Sequence, residues 1–179
     1  DFGFAVASSP DGDLIAVGAP GANAVCTYTL QDGNFVSSQV LTSSTGGFGS
    51  SVALSHTNSS RLLIVGAADS KKAYRYEAAN NTFFSHGTRL NAVSSEQPFE
   101  FGYRSAAVGA WAVISAYKET EGIAQEGGAA YLFRGDAAQE RLVDPDPSDL
   151  AQFGRAVAIG ATPSGPRAAI ASPSSDTSR

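Results

Sequence analysis

Residues 2–21 read FGFAVASSPDGDLIAVGAPG. A Phe-Gly pair opens one short apolar segment, an Asp-Gly pair follows it, and Gly-Ala-Pro closes a second apolar segment. Short apolar runs bounded by Gly, Pro and Asp are typical of β-strands joined by tight turns. The stretch therefore predicts a two-stranded hairpin, and the rest of the chain can be compared with it.

The same phrase returns three times further along the chain. Phe-Gly pairs begin at Phe2, Phe48, Phe101 and Phe153, at intervals of 46, 53 and 52 residues. The closing Gly-Ala-Pro becomes Gly-Ala-Ala, Ser-Ala-Tyr and Ala-Ser-Pro in the later copies. Self-similarity at a period of about 50 residues indicates a repeat architecture. We expect one unit per copy, with bounds at residues 1–45, 46–98, 99–150 and 151–179.

These phased motifs resemble the FG-GAP repeat found in the β-propellers of integrin α-subunits. The resemblance extends over essentially the whole chain, and the Phe-Gly half is intact in all four copies. It implies an all-β protein, a β-propeller of four-stranded antiparallel blades with about three and a half blades present. Since the last copy offers only two strands, we expect an incomplete ring. Missing blades of the same chain or a second polypeptide would close it.

Strand positions follow from the apolar runs and the turn residues between them. Asp11-Gly12 and Asp32-Gly33 predict hairpin turns that need positive φ at glycine. The predicted strands are residues 2–7, 13–19, 24–30, 34–41, 48–54, 61–67, 73–77, 82–90, 101–108, 111–116, 129–134, 140–143, 153–159 and 167–171.

Small side chains and aromatic pairs indicate how the units pack. First strands are rich in Ala and Ser, which suits a crowded central axis, and the Gly of Phe-Gly allows close backbone approach. Third strands carry two side chains on one face that we assign to the core between blades. These pairs are Cys26 with Tyr28, Tyr74 with Tyr76, and Tyr131 with Phe133. Cys26, the one cysteine, is expected to be a buried structural thiol.

Composition excludes some classes of function. The net charge is −5 with no Lys/Arg cluster, which argues against a nucleic-acid surface. No apolar run approaches the roughly 20 residues of a membrane span, so we expect no membrane insertion by this segment. The chain has no Met and no signal peptide, as expected for a mature or excised piece of a longer protein. Asn58 and Asn80 each open a glycosylation motif, and we predict that both are exposed.

Catalytic and metal motifs are missing from the sequence. Neither His56 nor His86 lies near a promising carboxylate, and no nucleophile elbow or zinc-protease motif occurs. Integrin-type propellers often hold Ca²⁺ in an Asp-rich loop between first and second strands. Here the best such loop offers only Asp11 and Asp13, so the family's metal ligands have no counterparts. We expect no enzyme activity, no cofactor and no metal, and we interpret the acidic residues 144–149 as a solvated linker.

One face of the predicted propeller is the candidate for partner binding. Loops after second strands and connections between blades emerge on the same side, which gathers residues 69–72, 93–100, 117–126 and 144–152. An aromatic group surrounded by charges is typical of a contact patch. We expect contacts with a protein partner, and the alternative is a solvated rim with Tyr117 packed under its own loop. The candidate contact residues are Glu96, Phe99, Tyr117, Lys118, Glu119 and Glu121.

The resemblance implies a non-catalytic interaction module of an extracellular or cell-surface protein that mediates adhesion or assembly. Two alternatives stay open at the level of sequence. The chain could be a packing unit of a surface filament or sheath. It could also be a propeller that accompanies a hydrolase domain outside these residues.

Overall fold

Four antiparallel sheets make up the computed structural model, which describes residues 1–57, 59–79, 83–92 and 99–173. The chain is all-β, as predicted, and three sheets have four strands while the last is a two-stranded hairpin. Sequential strands pair within each sheet.

The first sheet contains β1 (Ala5–Ser8), β2 (Leu14–Ala19), β3 (Ala24–Gln31) and β4 (Asn34–Thr42). The second contains β5 (Phe48–His56), β6 (Ser60–Ala67), β7 (Lys72–Ala79) and β8 (Ser85–Leu90). The third contains β9 (Ser105–Val108), β10 (Trp111–Ala116), β11 (Ala129–Arg134) and β12 (Ala137–Val143), and the hairpin contains β13 (Ala156–Thr162) and β14 (Gly165–Ala171).

The Phe-Gly pairs mostly precede the first strands rather than belonging to them. β1, β9 and β13 each begin three or four residues later than predicted, and the glycine of each pair adopts positive φ. Gly3, Gly102 and Gly154 have φ of 87°, 93° and 96°. Only β5 begins at Phe48, and its register with β6 shifts between Phe48 and Ser51.

The predicted hairpin turns are confirmed. Gly12 has φ of 79°, and Asp32 and Gly33 have φ of 49° and 81°. Two successive residues with positive φ match the right-handed twist of the flanking strands, which explains the Asp-Gly sequence at this turn.

The sheets adjoin along their first strands. β1 contacts β5, β5 contacts β9, and β9 contacts β13. Two apolar cores result, one between the first and second sheets and one between the second and third. Ala5 and Ala7 pack against the first core and Ala53 belongs to the second, so the small side chains of first strands lie where the sheets meet.

Glycines on neighbouring sheets fit against each other. A Cβ added at Gly49 would lie 2.5 Å from the carbonyl oxygen of Ala24, and one at Gly18 would lie 2.1 Å from that of Gly49. The next junction repeats the fit, since a Cβ at Gly66 would lie 1.9 Å from the carbonyl oxygen of Gly102. The Phe-Gly half of one repeat therefore meets the Gly-Ala half of the preceding repeat, which confirms the predicted close approach.

The aromatic pairs of the second and third sheets pack between sheets as predicted. Phe48 lies 5.8 Å from Tyr74 and 6.3 Å from Tyr76 between ring centroids. Phe101 lies 5.6 Å from Tyr131 and 6.2 Å from Phe133 in the same way. Three of these four pairs are edge-to-face and the Phe101–Phe133 pair is tilted, and the edge-to-face geometry adds to the burial of the rings.

The equivalent pair of the first sheet is not enclosed. Cys26 is a free, half-buried thiol, so the prediction of a buried one is wrong. Tyr28 is half-buried as well. The physical reason is that both side chains face away from the second sheet, on a side where no described residue forms a further sheet. The described residues do not close into a ring.

Candidate interaction site

An open cleft of about 540 Å³ lies between the second and third sheets, where β6 and β10 end. Three segments build it: the turn after β6, the residues just before Phe101, and the loop between β10 and β11. They meet because second strands of adjacent sheets end at the same edge. The lining residues are Ala68, Asp69, Lys71, Phe99, Glu100, Lys118, Thr120, Gln125 and Glu126.

The two lysines of the cleft each have a partner across it. The Lys71 ammonium lies 3.8 Å from the centroid of the Phe99 ring, a cation–π contact between the second sheet and the connection that follows it. The Lys118 ammonium lies 3.6 Å from the Glu100 carboxylate. These contacts fix both lysines at the mouth of the cleft.

Backbone conformation explains how Lys71 reaches Phe99. Residues Ala68–Ser70 form a single 3₁₀ turn, and Lys71 follows in the left-handed region with φ of 54°. Its N–H donates to the carbonyl oxygen of Ala68 at 2.9 Å. The first sheet repeats this arrangement after β2, with Asn23 in the same conformation, so the turn belongs to the repeat and only the side chains differ.

The loop of residues 117–128 is held by its own hydrogen bonds. Glu121 and Ala124 form an antiparallel bridge with N–H···O distances of 3.0 and 2.8 Å. Gly128 donates to the carbonyl oxygen of Glu119 at 2.9 Å, which closes the base of the loop. Ile123 lies at the tip and is 99% exposed. An apolar side chain is thus presented to solvent on a fixed loop.

A buried charge cluster anchors this loop to the third sheet. The Glu119 side chain is fully buried, and its two carboxylate oxygens accept from the Tyr131 hydroxyl at 2.7 and 2.6 Å. The Arg141 Nε donates to Glu119 at 2.9 Å, and the same guanidinium pairs with Glu121. Burial lowers the pKa of Arg141, but the hydrogen bonds to Glu121, Glu119 and Tyr131 outweigh it and raise that pKa above its usual range. The guanidinium is therefore always charged.

The connection before the fourth repeat lies along the same loop. Leu150 donates to the carbonyl oxygen of Gln125 at 2.8 Å, and Gln152 donates to that of Glu126 at 3.0 Å. The Gln125 N–H donates to the Asp149 carboxylate at 2.9 Å. Asp149 therefore contacts the loop, while residues 145–147 and Asp149 itself are exposed to solvent.

Some predicted contact residues occupy this site and others lie beneath it. Phe99 and Lys118 line the cleft, and their binding of a partner stays a prediction. Tyr117 is only 6% exposed, because its ring packs 4.2 Å from that of Tyr103 and under the Arg155 guanidinium. Tyr117 is thus buried, but against residues of two other segments and not under its own loop as the alternative stated above would have it.

Burial also changes the expected role of the two glutamates. Glu119 is fully enclosed, so a direct contact with a partner through its side chain is ruled out, and the reason is its pairing with Tyr131 and Arg141. Glu121 is half-buried and paired with Arg141. Glu96, Asn58 and Asn80 lie outside the described residues.

Sequence reasoning missed several residues of the site. Asp69, Lys71, Gln125 and Glu126 all line the cleft, although residues 69–72 and 117–126 were assigned to this face. How far each side chain extends into the cleft decides which residues line it, and the sequence of a loop does not reveal this. Arg141 was missed because alternation along β12 gives no indication of a charged partner in a distant loop.

The opposite edge of the sheets carries a different charge cluster. The Asp11 carboxylate lies 3.4 Å from His56 Nε2 and 3.7 Å from an Arg61 nitrogen, which joins the first turn to the second sheet. Within the described ranges, no group of three His, Cys, Asp or Glu side chains is arranged to hold a metal ion. No helix in that part of the chain has the length and apolar character needed to cross a bilayer.

No protein-family model matches this chain, and no curated protein matches it. The relation to FG-GAP repeats thus stays a proposal that rests on the residues and contacts described above.

Proposed function

We propose that this chain is a non-catalytic interaction module of the FG-GAP β-propeller type, on an extracellular or cell-surface protein, and that it binds a protein partner at the cleft between its second and third sheets. The propeller arrangement is supported by two features. First strands of successive sheets adjoin, and the Gly18–Gly49 fit between repeats recurs at Gly66 and Gly102.

The fixed loop at the cleft is the observation that carries the binding proposal. Residues 117–128 are anchored from below by the Glu119–Tyr131–Arg141 cluster and from the side by residues 149–152. A loop that is ordered before binding loses little conformational entropy when a partner docks. A buried charge cluster beneath an exposed loop favours a role of this loop in recognition over a role as a simple connection between strands.

The surface chemistry of the cleft supports a protein partner. Phe99 and Ile123 offer apolar contact, being 48% and 99% exposed. Phe99 shares the cleft with charged side chains, whereas Ile123 lies outside it at the loop tip. The carboxylates of Asp69 and Glu126 have no salt bridge to any described residue. An apolar centre with a charged rim is the usual make-up of a protein contact. A partner segment with a basic side chain would complement the two carboxylates.

A cell-attachment assay tests the proposal. Fluorescent beads that display the protein are incubated with intact cells, and attachment of the wild type is compared with that of Phe99→Ala/Lys118→Glu. Phe83→Ala/Arg134→Glu makes the same two kinds of change at exposed residues away from the cleft and serves as the control. We expect attachment to fall at least tenfold with the cleft variant and to persist with the control. Equal attachment by all three proteins would contradict the proposal.

A further inference from the structure

The outer face of the first sheet is a second exposed apolar surface, remote from the cleft. Alternation along β1 turns Ala5 and Ala7 towards the second sheet and Val6 away from it. Val6 is 63% exposed, and Val40 on β4 is 56% exposed. Cys26 is paired with Val40 across β3 and β4 and lies on the same side. We define the open face as Phe2, Val6, Cys26, Tyr28 and Val40.

Later repeats bury the corresponding residues. Phe2 is 63% exposed, whereas its counterpart Phe48 is 0% exposed and packs between the first and second sheets. Val6 corresponds to Val52, which is 7% exposed in the same core. Gly3 shows the same contrast, since a Cβ added there meets nothing within 4 Å although Gly49 is tightly enclosed. The open face is thus half of a junction that occurs elsewhere in the molecule.

The other half of that junction is exposed at the opposite end of the chain. In the hairpin, Val157 and Ile170 are half-buried, while Ala156, Ala158, Ala169 and Ala171 point outwards and are exposed. Their pairing, Ala156 with Ala171 and Ala158 with Ala169, matches that of Ala5 with Gly18 and Ala7 with Ala16 in the first sheet.

The first and second sheets demonstrate that these two kinds of surface fit together. The small residues Ala5, Ala7 and Ala16 of the first sheet pack against Phe48, Val52 and their neighbours on the second. The hairpin therefore presents the same small residues in the same register to solvent. Ala171 occupies the position that Gly18 occupies in the first sheet. At the junction between the third sheet and the hairpin, Ser115 occupies this position and has a Cβ. The methyl group of Ala171 therefore fits.

The geometry points to head-to-tail association of two copies of this chain, in which the hairpin of one copy packs its four outward alanines on the open face of the next. A second copy is the occupant because this chain carries both complementary surfaces, and both are exposed among the residues that the structure describes. The contact is heterologous, so it leaves one open face and one free hairpin at the two ends of a dimer. Further copies then add until the assembly closes into a ring or grows as a filament.

Complementation between two blocked variants tests the junction. Val6→Glu places a charge on the open face, and Ala158→Glu places one on the hairpin. Both side chains are exposed in the single chain, so folding is expected to be unchanged, which circular dichroism checks. A buried unpaired carboxylate is costly, so each variant should weaken self-association at least tenfold relative to wild type. Sedimentation velocity over a concentration series measures this.

The mixture distinguishes this junction from other modes of association. Val6→Glu retains a working hairpin and Ala158→Glu retains a working open face, so the 1:1 mixture should form a heterodimer and nothing larger. Ile123→Glu, a charge on the exposed loop of the cleft, is the matched control and should assemble like wild type. Its effect on cell attachment is measured separately, so failure of the cleft and failure of the junction remain distinct.

Three results would overturn the inference. A wild type that stays monomeric at several hundred micromolar would mean that something other than a second copy covers the open face. Association that survives Ala158→Glu but not Val6→Glu would mean that two open faces meet each other. A mixture of the two variants that stays monomeric although wild type assembles would exclude the hairpin as the mate of the open face.

Discussion

Arg141 is the residue on which the cleft loop depends most. It neutralises Glu119, which has no access to water, and it reaches Glu121 in the same loop. Replacing it by alanine would leave a buried carboxylate without its counter-charge. Breaking such a pair typically costs about 3 kcal/mol or more. We therefore expect Arg141→Ala to lower the free energy of unfolding by about that amount, measured by chemical denaturation.

Two further variants show whether the charge itself is responsible. Arg134→Ala removes an exposed arginine from the neighbouring strand and should cost less than about 1 kcal/mol. Adding Glu119→Gln to Arg141→Ala removes the stranded charge, so part of the lost stability should return. A double variant no more stable than Arg141→Ala would show that lost packing, and not the unpaired carboxylate, causes the effect.

Asp11 is held in its charged form by the first turn. Burial raises the pKa of its carboxyl. Hydrogen bonds from the Ser9 hydroxyl and the Asp13 N–H, together with the electrostatic effects of Arg61 and His56, outweigh that effect, so the pKa lies below its usual 3.8. A carboxyl whose pKa is lowered on folding contributes stability above its unfolded pKa. That contribution disappears as the pH falls through the folded pKa.

Replacing Asp11 by asparagine should therefore lower the free energy of unfolding by an amount that depends on pH. We expect Asp11→Asn to be less stable than wild type at pH 7, and the difference to shrink below about pH 4, where wild-type Asp11 takes up its proton. Urea denaturation at a series of pH values measures it. A difference that stays constant down to pH 2.5 would assign the effect to the hydrogen bond with Ser9 and not to charge.

The Phe-Gly turn offers a matched pair of substitutions at the level of the repeat. Gly49 and Gly3 occupy the same position in two copies and have φ of 96° and 87°. A side chain at Gly49 would overlap the carbonyl of Ala24, whereas one at Gly3 meets nothing. We expect Gly3→Ala to cost about 1–2 kcal/mol from backbone strain alone, and Gly49→Ala to cost clearly more. Thermal unfolding of the two variants measures the difference.

Equal losses of stability in Gly3→Ala and Gly49→Ala would mean that the close approach of the sheets does not explain why glycine occupies this position. The Phe-Gly sequence would then be explained by its turn conformation alone. A larger cost at Gly49 assigns the excess to the junction, because backbone strain is common to both positions.

Strands and turns were predictable here because local chemistry decides them. The runs that became β10 and β11 were placed at their observed bounds, and Asp32-Gly33 has the φ angles its turn requires. The residues of the site were less predictable. Tyr117 and Glu119 lie in a polar loop whose sequence suggests exposure. Tyr117 is buried against Tyr103 and Arg155, and Glu119 is buried against Tyr131 and Arg141. Partners that are distant in sequence leave no local pattern.

Cys26 illustrates the same limit for packing between sheets. Its alternation correctly placed it with Tyr28 on one face of β3. Whether that face is covered depends on a neighbouring unit, which the strand sequence does not specify. At the equivalent second position of the pair, Tyr76 is buried and Tyr28 is half-buried.

At the level of the whole molecule, the sheets differ in how many neighbours they have. The second sheet lies between two others, and residues 48–55 and 61–67 are all buried. The described residues cover the first sheet on one side only, and the hairpin exposes alternate residues along both strands. In repeat proteins, stability is approximately the sum of each unit and its contacts with neighbours, so the second sheet has the largest share.

Amide hydrogen exchange should show this inequality as a gradient along the chain. We expect the amides of β5 and β6 to exchange only through global unfolding, and those of β4, β13 and β14 through cheaper local openings. The protein is diluted until it is monomeric, and mass spectrometry of its peptides measures the order in which the strands exchange. Uniform protection across all four sheets would contradict it. With such a gradient the molecule frays from both ends inwards, and its second sheet is the last structure to melt.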